Sequence, residues 1–125
     1  MSWYTGNAIF YFRLKSGIQT EFPVWENIYL VQADSFEQAR RKIATRASEA
    51  AGDSAASLIY ENQPAELVFM GIRKITSCEN ETCRPEDGNE VSYNEFVLGD
   101  LDSVRRLSEG FPTDLTYEAN DFTNE

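Results

Sequence analysis

Three charged residues stand at the centres of apolar stretches: Glu26, Arg73 and Glu95, with Tyr11, Tyr29 and Tyr93 at comparable places in the pattern. A carboxylate inside an apolar strand needs a partner, because burying it alone is costly. A guanidinium lying between two carboxylates supplies one. Two uses follow. The set is either a structural ion pair that satisfies Glu26 inside a sheet, or a small pocket for an anion or carboxylate. In the pocket Arg73 is the fork and a tyrosine, Tyr29 or Tyr93, the orienting donor. Glu26 and Glu95 acting as acid and base would make such a pocket isomerase-like. The candidate binding residues are therefore Glu26, Tyr29, Arg73, Tyr93 and Glu95, and no residue is assigned a catalytic role.

Other chemistry is thin. The chain has no histidine, which removes the commonest general base and the commonest metal ligand. Cys78 and Cys83, with four residues between them, cannot by themselves complete a four-ligand zinc site. In a reducing compartment they read as two ordinary loop thiols, with a redox-responsive pair as the alternative. There is no phosphate-binding glycine loop and no nucleophile elbow. The sequence implies no cofactor and no metal.

Strands must position these residues. Phe22 to Ala33 is the longest apolar run and is rich in β-branched and aromatic residues. It reads as the central strand of an antiparallel sheet. From Val24 onward both of its faces are mostly apolar, so each face needs a cover: a helix on one side, and a second helix, the C-terminal segment or another subunit on the other. Trp3 to Leu14 is the strand before it. Lys15-Ser16-Gly17 is the turn, Ile18 to Phe22 begins the return, and Pro23 interrupts the pairing.

Asp34-Ser35 opens a helix, with Ser35 as N-cap and Gln38 at the capping-box position. Phe36, Ala39, Ile43, Ala47 and Ala50 or Ala51 form its narrow apolar stripe. Arg40, Arg41, Lys42 and Arg46 form a basic outer face, and Gly52 suits the C-cap. That face is either simply solvated or paired with the acidic C-terminal third, within one chain or between two. Residues 54–64 are ambiguous, and Ala55 to Ile59 could extend the helix.

Ala65 to Ser77 is the next strand, with Gly71 marking a bulge or a close backbone approach. Cys78 to Asn89 is a polar loop with its turn at Asp87-Gly88. Glu90 to Leu98 is the last clear strand. Asp100 caps a short helix with Leu101, Val104 and Leu107 as its stripe. The expected fold is α+β: an antiparallel sheet of about four strands in ββαββ order, one main helix on one face, and a short C-terminal helix. Residues 1–110 form a single domain, and 111–125 an acidic tail that is either mobile or docked through Phe111, Leu115, Tyr117 and Phe122.

The net charge of -10 is unevenly spread. Residues 1–85 carry 10 acidic and 9 basic side chains, and residues 86–125 carry 11 and 2. A polyanion is repelled by such a field, so nucleic acid is excluded as a general partner. No run approaches the ~20 apolar residues of a bilayer span, and no export leader opens the chain. The expected setting is the cytoplasm, with no membrane role.

The chain resembles a known family. Trp3-Tyr4, the run Val24 to Val31, the helix start Asp34 to Ala39, the strand Phe69 to Ile75 and the segment Glu90 to Phe96 come in the order found in a small bacterial family, domain of unknown function 4288. The resemblance covers roughly residues 3–98. It implies a compact bacterial cytoplasmic domain and carries over no catalytic residue. The cysteine loop, the last helix and the tail look peculiar to this chain.

Two functions fit these observations. The first is a non-enzymatic interaction or accessory module, a homodimer or a binder of another protein, acting through a sheet face or the acidic tail. The second is a small-ligand binder or isomerase-like enzyme built on Glu26, Arg73 and the tyrosines.

Overall fold

The computed structural model describes residues 2–54, 58–78, 86–113 and 116–118. The elements in chain order are β1 (Ser2–Leu14), β2 (Val24–Ala33), α1 (Phe36–Ser54), β3 (Ile59–Tyr60), β4 (Gln63–Cys78), β5 (Glu95–Val97), α2 (Leu101–Ser108) and β6 (Thr116–Glu118). The fold is α+β, as expected. A four-stranded antiparallel sheet runs β2-β1-β4-β3, and β5 pairs with β6 in a separate ribbon.

Three expectations about strands change. The apolar run of β2 is an edge strand, and β1 is central, paired with β2 on one side and β4 on the other. The fourth strand of the sheet is the two-residue β3, which closes a tight hairpin onto β4. Its turn places both Glu61 and Asn62 at positive φ, the geometry that matches strand twist in a two-residue hairpin. Residues 90–98 do not join the sheet: only Glu95–Val97 is strand, and it pairs with 116–118. Residues 90–94 cross the face of the main sheet as a strap that has no ladder partner among the described residues.

The return strand also starts later than expected, at Val24. Before it, the Gln19 amide substitutes for ladder bonds: Oε1 accepts from the Leu14 N–H at 3.0 Å, and Nε2 donates to the Phe12 carbonyl at 2.6 Å. Gly17 takes φ +89° in the turn, a conformation open to glycine.

Helix α1 begins as its caps predict. The Ser35 hydroxyl accepts from the Gln38 N–H at 3.0 Å, and the Gln38 side chain reaches back to the Asp34 N–H at 2.5 Å. Gly52 lies inside the helix rather than beyond it. Ala39, Ile43 and Ala47 are fully buried against the sheet. One half of the core joins them to Tyr4, Val31, Ala33 and Ile75, and the other to Ala8, Phe10, Phe12 and Leu67. Gly6 sits directly under Ile43, where a Cβ would collide with the isoleucine's Cδ1. The absence of a side chain there lets the helix close on β1.

Strand β4 carries two bulges. The β1–β4 register steps past Arg73 between Asn7 and Ala8, and past Met70 between Ile9 and Phe10. Gly71 lies between them. Each bulge adds an unpaired residue and re-aims its side chain.

Candidate functional site

Alternation sorts the sheet into a near face, packed on α1, and a far face. Glu26, Ile28 and Leu30 of β2, Thr5, Asn7 and Ile9 of β1, and Lys74 and Thr76 of β4 share the far face through the ladder pairs Thr5–Leu30, Asn7–Ile28, Ile9–Glu26, Thr5–Thr76 and Asn7–Lys74. Tyr29 has the opposite parity. It packs into both halves of the core, so it does not join Glu26.

The ion pair between Arg73 and Glu26 forms. It reaches over β1, because Glu26 stands on β2 and Arg73 on the β4 bulge. Asn7 lies beneath and donates from Nδ2 to the same Glu26 oxygen at 3.0 Å. The side chains are 23 % and 33 % exposed, so the pair is neither sealed nor freely solvated. Glu95 stands beside the residue that reaches the pair. It lies on β5, and Asn94, one residue earlier, is the group that reaches Arg73, accepting at Oδ1 from Nη2 at 3.3 Å. The strand predicted over 90–98 does not form at Asn94, so its alternation could not place Glu95.

Lys74 is the residue that pattern reading passed over. It is 1 % exposed. Its Nζ donates to Asn94 Oδ1 at 3.2 Å and lies 4.7 Å from the centre of the Tyr93 ring. Burial pushes its pKa below the ordinary lysine value, and the Arg73 charge adds to that, while Glu26 and Glu90 oppose it. A polar pair facing across the ladder, Asn7 with Lys74, is the signal that would have found the layer. Neither residue has a charge partner in sequence pattern, so neither stood out.

The strap is pinned at its other end by Val91, whose carbonyl accepts from the Thr5 hydroxyl at 2.7 Å. Cys78 lies buried beside the same carbonyl, and burial raises its thiol pKa. The strap thus covers the β4 half of the far face. Within the layer Asn7 Oδ1, Thr76 Oγ1 and Ser92 Oγ are buried with no hydrogen-bond partner among the described residues.

The β2 half of the far face is different. Val24, Ile28 and Leu30 are 56 %, 54 % and 47 % exposed and stand in a row. The strand's outer edge is open as well. Lys42 Nζ donates to the Gln32 carbonyl at 2.5 Å, while the Pro23 carbonyl accepts from Phe12 of β1. Both backbone groups of a strand residue point to one edge. Even-numbered residues from Val24 to Gln32 therefore turn their N–H and C=O outward. β2 has no strand partner on that side among the described residues.

At the end of this edge lies a groove of about 590 Å³ between β2 and α1. Trp3, Leu30 and Gln32 line one side, and Arg41, Lys42 and Arg46 the other.

The chain matches, over residues 3–93, the model of a family described as a domain of unknown function, DUF4288. It belongs to that family. The matched region holds β1, β2, α1, β3, β4 and the strap as far as Tyr93, and so includes the open edge and the polar layer except Asn94. The family assignment names no reaction and no ligand. No curated protein and no solved structure matches the chain. No helix among the described residues is long and apolar enough to cross a membrane.

Proposed function

We propose that the domain is a non-enzymatic protein-interaction module that works through β2, adding a strand from a partner at its open edge and covering the apolar row beside it. One observation carries this reading. The outward backbone groups and the exposed row Val24, Ile28 and Leu30 belong to the same residues of the same edge. An extended apolar edge is a template for another strand, and proteins that do not use such an edge blunt it. The opposite side of the sheet is broken up: β3 covers β4 only at Gln63 and Pro64, and beyond it β4 carries bulges at Met70 and Arg73. Fully burying an exposed aliphatic side chain contributes about 1.5–3 kcal/mol, and since these are about half exposed, roughly half of that remains for each.

The test is the native mass of the full chain by light scattering, with Ile28→Pro beside it. That substitution removes one outward N–H and no bond to β1, a place where an edge strand tolerates proline. A dimer that Ile28→Pro dissolves supports the reading with a second copy as partner. A dimer that Ile28→Pro leaves intact, at unchanged melting temperature, overturns it. A monomer leaves another protein as the strand donor.

A second reading is a small anion or carboxylate ligand at Arg73 and Lys74. It is favoured by the buried Lys74 ammonium, which makes no ion pair with a described carboxylate, and by the buried oxygens of Asn7, Thr76 and Ser92, which have no hydrogen-bond partner among the described residues. Titration with malonate and with inorganic phosphate, followed by amide shifts, tests it. Saturable shifts at residues 91–94 that Lys74→Met abolishes support it, and shifts that survive Lys74→Met rule it out.

A further inference from the structure

We propose that the groove between the Leu30–Gln32 end of β2 and α1 selects an extended acidic peptide segment as the added strand. This rests on the strand-addition reading above and names the chemistry of the partner.

Three cations form one wall of the groove: Arg41, Lys42 and Arg46. Arg41 is held by Glu37 at 3.1 Å and Arg46 by Glu49 at 4.0 Å, one and roughly one helical turn away. All four of those side chains are largely exposed, so their pairs are weak and exchange readily for an incoming carboxylate. Lys42 occupies the Gln32 carbonyl, the acceptor that an added strand would use. When the strand's N–H takes that carbonyl, the ammonium is released toward a carboxylate on the same strand. The backbone exchange and the charge exchange are one event.

The rest of the groove suits such a strand. Leu30 offers an apolar contact, and Trp3 lines the same wall of β-sheet. Successive side chains of an extended peptide alternate between two sides. A sequence alternating apolar and acidic residues would lay one set over Leu30 and the other along Arg41, Lys42 and Arg46. The chain's net charge of -10 does not forbid this. Its excess lies in residues 86–125, and none of the described residues of that segment lines the groove.

The probe is a fluorescein-labelled peptide of about nine alternating Val and Glu residues, long enough at ~3.3 Å per residue to lie along β2. Its partners in the experiment are the Val/Lys analogue and the full-length protein, read by anisotropy. The expected result is saturable binding of the Val/Glu peptide and none of the Val/Lys peptide. Raising salt from about 0.1 M to about 1 M, which shortens the screening length from ~10 Å to ~3 Å, weakens it. The double substitution Arg41→Glu, Arg46→Glu lowers the affinity roughly tenfold or more, and Ile28→Pro lowers it independently. Equal binding of both peptides overturns the acidic selection and leaves strand addition standing. A native dimer dissolved by Ile28→Pro, with no peptide bound, assigns the edge to a second copy and also overturns the acidic partner alone. A monomer that binds neither peptide overturns both.

Discussion

Glu26 and Arg73 meet across a strand to which neither belongs. Glu26 is on β2 and Arg73 on β4, and β1 runs between them. Strands two apart lie roughly 10 Å from each other. The gap closes because Arg73 is the bulged residue of β4, stepped out of register between the partners of Asn7 and Ala8. Asn7 supports the carboxylate from below. The pair therefore ties three strands together on the face that lacks the helix.

Arg73→Ala leaves Glu26 with only the Asn7 amide and removes a donor from Asn94. The expected loss is about 1–3 kcal/mol by urea denaturation. Glu26→Gln keeps an acceptor for Asn7 and Arg73 and is expected to cost less. Equal costs would show that charge, not hydrogen bonding, dominates.

Lys74 has its folded pKa pulled below 10.5, chiefly by burial and then by Arg73. Between the folded and the unfolded value the unfolded chain binds more protons. Stability supplied by this group therefore rises with pH across that window and levels off near 10.5. The difference in unfolding free energy between wild type and Lys74→Met, measured from neutral pH upward, isolates it from Cys78 and Tyr60, whose raised values act in the opposite direction. A difference that stays flat with pH contradicts the assignment.

Gly6→Ala drives a methyl into the Ile43 side chain, which is fully buried. Overpacking of this kind costs about 1–3 kcal/mol. Combining it with Ile43→Val removes the atom in closest conflict and is expected to recover part of the loss. A strictly additive double mutant would mean that the two positions do not compete for the same space.

Thr5→Val keeps the shape of the side chain and removes the donor to the Val91 carbonyl. The strap is expected to loosen, with faster amide exchange at residues 91–94 and about 1 kcal/mol lost. Unchanged exchange there would mean that Asn94 and Tyr93 hold the strap alone.

Glu61 adopts φ +52° in the β3–β4 turn, a region that costs a side-chain-bearing residue roughly 1 kcal/mol. Glu61→Gly is expected to raise the melting temperature slightly. A fall would show that the gain in turn geometry is outweighed by the entropy glycine adds to the unfolded chain.

Much of this fold is legible locally. The caps of α1 and its stripe of Phe36, Ala39, Ile43 and Ala47 follow from spacing of 3 and 4. The Gly17 turn and the Asp100 cap, whose carboxylate accepts from the Ser103 N–H at 2.7 Å, follow from short-range hydrogen bonding. The family was legible as well, because its motifs are short runs read in order. The partner of Glu26 could be named, since a mid-strand carboxylate needs a cation and Arg73 is the one opposite in kind.

The tertiary structure decided what lies beside what. Apolar residues on both faces of β2 have the same sequence pattern whether the second face is covered or exposed, so the pattern could not distinguish a central strand from an edge. Two one-residue bulges in β4 shift its register twice, and no alternation rule anticipates where they fall. They bring Arg73 over β1. The strap brings Asn94 to that cation and closes over Lys74. The glutamate and the arginine were in the sequence to be read, whereas the lysine, the asparagines and the open edge came together only through strand order and the crossing of a distant segment.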